Sequence, residues 1–158
     1  MTASRSERAS PHEFVGFRAA FHEAGHCAAA IIFGIPIIHV TIEADAGHLY
    51  RGHYRERAYL GLERIVTMCL AGPAAEEFFC GPIEDGTDRA DYAMARHYLA
   101  RRFDPLQIGV EIARLRDASH RLVRTPWAQQ RIRLVAAALL HHRTLTGDEI
   151  GVMIAADA

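Results

Sequence analysis

Two histidines four residues apart, His22 and His26, lie inside a stretch with a strong helical pattern, and this placement constrains the chain more than any other feature. Ser10 is a suitable N-cap, Pro11 fits the first helical position, and Glu13 closes a capping box. Phe14, Phe17, Phe21, Ala24, Ala28 and Ile31 then recur at helical spacing, and Gly34 and Pro36 stop the helix near Phe33. On such a helix, positions i and i+4 stack on one face, so the two imidazoles point the same way. Between them runs Glu23-Ala24-Gly25. A glycine inside a helix costs about 1 kcal/mol relative to alanine, so Gly25 implies that another segment passes close by.

Two imidazoles on one helix face can share one metal ion, each bonding through a ring nitrogen about 2.0–2.1 Å away. Glu23 leans to the side of the pair, where its carboxylate can take a proton from a water that the metal activates. Zinc suits this task because it brings the pKa of such a water to about 7. The chemistry expected is attack on a peptide carbonyl, with Glu23 as general base and then as proton donor to the leaving amine. The plainer alternative is a chance HExxH pattern on an ordinary surface helix.

A catalytic zinc site needs a third protein ligand. Asp88 and Asp91 lie three residues apart near the start of a later helix and can share a face. Glu76 and Glu77 are further candidates. The plainer role for the two aspartates is to complement a helix dipole.

The rest of the chain reads as mainly α, with a small β-hairpin or edge strand after the HExxH helix. Ile37 to Glu43 alternates and is β-branched, Asp45-Ala46-Gly47 is turn-like, and His48 to Tyr54 can return as a second strand. A second helix is expected from about Tyr59 to Ala71, kinked or restarted at Gly72-Pro73 and continuing from Ala74 to Phe79. Thr87 or Asp88 caps a third helix that reaches about Phe103. Asp104-Pro105 opens a fourth, Thr125-Pro126 opens a fifth that ends near His142, and Thr146 with Glu149 boxes a short last one. Residues 1–10 read as a flexible arm and residues 11–158 as one domain. If the first strand has a free edge, Val40, Thr41 and Ile42 can pair with an extended polypeptide substrate through main-chain hydrogen bonds. If it pairs with the second strand and is covered, they cannot.

Composition removes several alternatives. A net charge of −1 gives no basic surface for nucleic acid. No apolar run reaches the roughly 18 residues needed for a membrane span, and no export signal is visible, so the cytoplasm is the expected location. The three cysteines are widely spaced and form no CxxC pair, which points to neither a disulfide framework nor a thiolate zinc site. All 18 basic residues are arginine. Without lysine there is no Walker A loop and no Schiff-base chemistry. The other histidines, including His39, His48 and His53 around the hairpin and His97 beyond Asp91, are not assigned to the metal.

Four stretches, taken in order, resemble the peptidase domain of the FtsH family of ATP-dependent zinc metalloproteases. Phe21-His22-Glu23-Ala24-Gly25-His26 is similar to the family's aromatic-HEAGH helix, and Ile37-Ile38-His39-Val40-Thr41-Ile42 to the strand after it. Leu70 to Gly81 is similar to its Leu-Gly-Gly-Arg-x-Ala-Glu-Glu helix, with Pro73 in place of the arginine. Leu139 to Ile150 is similar to its closing segment. The resemblance covers about residues 12 to 155. It implies a zinc metalloendopeptidase acting on unfolded or flexible polypeptides, with His22, His26 and Asp91 as ligands. Asp91 is the position that matches when the run Gly86-Thr87-Asp88-Arg89-Ala90-Asp91-Tyr92-Ala93-Met94-Ala95 is counted back from Ala95. Asp88 remains a rival ligand or a partner to a ligating ring, and Glu76 would be the ligand in a thermolysin-like site. The family's membrane anchor and ATPase module have no counterpart in this sequence, so a separate ATPase is a possible partner and a homo-oligomer a possible assembly. The alternative is a metal-binding regulatory or adaptor module of the same fold that has lost its activity.

Overall fold

The computed structural model describes residues 11–43, 51–54, 61–84 and 86–156. The proposed arm of residues 1–10 with its Ser10 cap, the Asp45-Ala46-Gly47 turn and His48 lie outside them. Six helices and three short strands are present among the described residues. In chain order they are α1 (Pro11–Phe33), β1 (Ile37–Thr41), β2 (Arg51–Tyr54), α2 (Leu62–Cys80), α3 (Arg89–Leu99), α4 (Pro105–Val123), α5 (Pro126–His142), β3 (Thr144–Thr146) and α6 (Gly147–Ala156). The fold is mainly α. No described helix is long and apolar enough to cross a membrane.

Helix α1 is the centre of the molecule. One side packs on α5 and the sheet in a core of Ala20, Ala24, Ala28, Val40, Ile132, Val135, Leu139, Leu145 and Ile150. Its far end joins a second core, in which Ala30 meets Ile65, Val66 and Leu70 of α2, Leu99 of α3 and Leu115 of α4. Where α1 crosses α2, both helices present small residues. A methyl group added at Gly25 would collide with the Ala71 carbonyl oxygen and lie 2.5 Å from the Ala75 Cβ. The backbones therefore approach closely, and this brings the two α1 histidines up against α2.

Local signals place several helix starts. Asp104 and Gln107 form a complete capping box on α4, Thr125 accepts from the Ala128 amide at the start of α5, and Thr146 and Glu149 exchange hydrogen bonds at α6. The third helix stops at Leu99, with the chain turning through Ala100 to Phe103.

Two expectations need correction. Of the kink or restart expected at Gly72-Pro73, the restart is absent: helix α2 runs continuously through the pair. Pro73 is buried with an unbroken run of neighbours from Cys69 to Glu76, and packing on both sides of the proline outweighs its local preference. The second correction concerns β1. It pairs antiparallel with β2 (Val40 opposite Gly52) and also with β3 (Val40 opposite Leu145), so the sheet order is β2-β1-β3. The unforeseen strand β3 follows Arg143, which ends α5 at φ 66° and accepts the Ile42 amide on its carbonyl. Val40, Thr41 and Ile42 therefore offer no free edge to a substrate, and the side chains of Val40 and Ile42 lie in the core.

Candidate metal centre

His22, His26 and Asp91 come together from α1 and α3, with ligand-type atoms all within 4.8 Å of one another. The His22 Nε2 lies 3.0 Å from one Asp91 oxygen and the His26 Nε2 lies 3.3 Å from the other. For comparison, two ligands on a tetrahedral zinc with bonds of about 2.0–2.1 Å are about 3.3 Å apart. The carboxylate thus already stands at ligand-to-ligand spacing from both rings.

The far nitrogens of the rings decide the chemistry. His22 Nδ1 is 2.8 Å from the Glu76 carboxylate, and His26 Nδ1 is 2.8 Å from the Met68 carbonyl oxygen. Neither acceptor can donate, so both Nδ1 atoms carry the proton and donate it. Each neutral ring then has its lone pair on Nε2, facing an Asp91 oxygen that is also rich in electrons. Such a cluster needs either protons on the Nε2 atoms or a cation among them. Two nitrogens and a carboxylate oxygen form a donor set that fits zinc, and the backing of each ring by an acceptor is typical of histidines that ligate a metal.

Gly72 makes room for this arrangement. A methyl group there would collide with the His26 Nε2 and lie 2.5 Å from its Cε1. The small face of α2 thus serves twice: Gly72 admits the His26 ring, and Ala71 and Ala75 admit Gly25.

Without a cation, proximity alone perturbs these groups strongly. Burial disfavours the charged form of His22, yet the hydrogen bonds to Asp91 and Glu76 push its pKa up to about 10. Burial also opposes a charge on His26, and the Asp91 carboxylate beside it still drives its pKa upward. Burial favours a neutral Asp91, but the His26 charge and the hydrogen bonds of both rings hold it well below the usual carboxylate range. Glu23 differs. Burial pushes its carboxyl above the ordinary value, while His26 and His22 pull it back. It is almost fully buried, and its Oε2 has no hydrogen-bond partner among the described residues. A buried carboxylate oxygen left unsatisfied beside a metal-type cluster is a group placed for a ligand or a proton.

The two rings are nearly inaccessible, whereas the Asp91 side chain is 20% exposed. Of the three side chains, Asp91 is the most open to solvent. Asp88 is the N-cap residue of α3 and is not in the cluster. Glu76 is not in it either and instead holds His22 from behind. His97 and His142 are exposed, and His120 pairs with Glu77 at 3.4 Å on another face. The Met68 carbonyl and Gly72 are contributions that no motif reading supplies. The unusual Gly72-Pro73 pair, in a helix that otherwise reads as continuous, was the available hint of close contact.

No known protein-family model matches this chain, and comparison with characterised proteins finds no match. The functional reading therefore rests on the site and on the resemblance of the four sequence stretches.

Proposed function

We propose that the chain is a zinc metalloendopeptidase that cleaves unfolded or flexible polypeptides, built like an FtsH-type peptidase domain. The observation that supports this most is the convergence of two Nε2 lone pairs and the Asp91 carboxylate, with the opposite ring nitrogens fixed by Glu76 and Met68. His22, His26 and Asp91 would hold the zinc. When bound, zinc supplies a Lewis acid that makes a water nucleophilic near neutral pH and polarises the scissile carbonyl.

The chain's own residues do the rest. Glu23 is the general base: its unpartnered Oε2 takes a proton from the attacking water as oxygen bonds to the peptide carbon. The same group, once protonated, returns the proton to the departing amine nitrogen as the C–N bond breaks. Glu76 and the Met68 carbonyl keep the rings in the ligating tautomer. The sequence contains no lysine and hence no Walker A loop. Folded substrates therefore need an unfolding activity that these 158 residues do not supply, and flexible ones do not.

The test is cleavage of an unfolded casein-type substrate by zinc-loaded protein. Wild type should cleave and a chelator should stop it. Glu23→Gln should keep its zinc and lose about 10²–10⁴-fold in rate. Zinc-loaded wild type that leaves a range of unfolded polypeptides intact would refute the peptidase reading and favour a binding module.

A further inference from the structure

Arg18 lies four residues before His22, on the same face of α1. Its Nε donates to Glu76 Oε1 at 2.7 Å, and its two terminal nitrogens donate to the carbonyl oxygens of Cys80 (3.1 Å), Gly81 (3.3 Å) and Pro82 (3.0 Å). Carbonyls at the end of a helix have no partner within it, so the end of α2 is a natural seat for a cation. These contacts fix the plane of the guanidinium. Glu76 is 1% exposed, and its other oxygen accepts from His22 Nδ1 at 2.8 Å, with Thr87 Oγ1 at 3.5 Å. A buried carboxylate keeps its orientation only while its charge is matched and both oxygens are engaged.

We propose that Arg18 is a positioning residue for the metal centre: it locks the Glu76 carboxylate in the orientation that turns the His22 Nε2 toward Asp91. It acts through Glu76 and touches neither the metal position nor a substrate. The segment whose carbonyls it holds continues directly toward α3, so one side chain secures the start of the connection to Asp91 as well as the back of His22. Lysine cannot substitute fully, because a single ammonium lacks the planar fork that reaches Glu76 and the helix end together.

The inference rests on the zinc reading of the site, and two readouts on the full chain test it. The first is zinc affinity, measured by competition with a chromophoric chelator for wild type, Arg18→Gln, Glu76→Gln and the double variant. The second is the His22 Nδ1–H proton signal of the metal-free protein, which reports the ring's partner independently of metal. Arg18→Gln should weaken zinc binding roughly 10–100-fold and lose or broaden the Nδ1–H signal, and the double variant should be no weaker than Glu76→Gln alone. Wild-type zinc affinity in Arg18→Gln, an intact Nδ1–H signal, or a double variant whose loss is the product of the two single losses would overturn the proposal. Should Arg18→Gln fail to fold, Arg18→Lys serves in its place: a smaller loss in the same direction supports the proposal, and wild-type affinity overturns it. Wild type that binds no zinc defeats the metal reading itself; equal binding by wild type and variant defeats only the role of Arg18.

Discussion

Gly25→Ala separates local preference from tertiary contact by sign. Within a helix, alanine is favoured over glycine by about 1 kcal/mol, so α1 considered alone predicts stabilisation. The fold predicts the opposite. The new methyl would lie 2.5 Å from the Ala75 Cβ and would collide with the Ala71 carbonyl oxygen. Carbon atoms in contact sit about 3.5–4.0 Å apart, so the helices must separate by about 1 Å at this crossing, a gap that forfeits about a quarter to a half of each contact's attraction. The oxygen belongs to the backbone of a buried helix and has no rotamer to take up the strain. Overpacking of this kind costs about 1–3 kcal/mol, and the collision with backbone places it toward the upper end. After the gain in propensity, about 1–2 kcal/mol of destabilisation remains, which lowers the Tm of a chain this long by about 2–8 °C. Thermal unfolding of the metal-free protein, followed by circular dichroism, provides the measurement. A Tm that rises in Gly25→Ala would show that the close crossing of α1 and α2 is wrong, and the placement of His22 against Glu76 would fall with it.

Two further outcomes are expected. In Gly72→Ala the obstructed atoms belong to the end of the His26 side chain, which can rotate away; this variant should therefore fold with a smaller loss of stability than Gly25→Ala but lose zinc affinity, and chelator competition on a variant that binds zinc like wild type would contradict this. Metal-free protein should also become less stable in urea as pH rises from about 6.5 through about 10, because the folded state raises the His22 pKa across that range and so holds a proton that the unfolded chain releases. The fall should be smaller in Asp91→Asn, and a wild-type urea midpoint that is flat or rising over that range would contradict it.

The sequence made much of the fold legible where the signals are local. Pro105 behind Asp104, Pro126 behind Thr125, and the Thr146–Glu149 box each set a helix start by hydrogen bonds within a few residues. The restart expected at Pro73 is absent because α2 is buried from Cys69 to Glu76 and packs closely on α1 at Ala71, Gly72 and Ala75, contacts that no window around residue 73 contains. The three residues of β3 become a strand only through pairing with β1, a partner more than a hundred residues away. That pairing is also what removes the substrate edge expected at Val40 to Ile42. The site divides along the same line. The facing of His22 and His26 follows from helix geometry alone. The relation of Asp91 to them depends on how α3 sits against α1, so neighbouring residues in sequence left Asp88 and Glu76 as rivals. The structure places Asp91 between the rings and Glu76 behind one of them.

The metal content of the purified chain tests the central claim most directly. Wild type, loaded with zinc and then desalted, should retain one zinc per chain, and Asp91→Ala should retain far less while Asp88→Ala matches wild type. Wild type that keeps no zinc, or Asp91→Ala that keeps as much as wild type, would contradict a centre built from His22, His26 and Asp91.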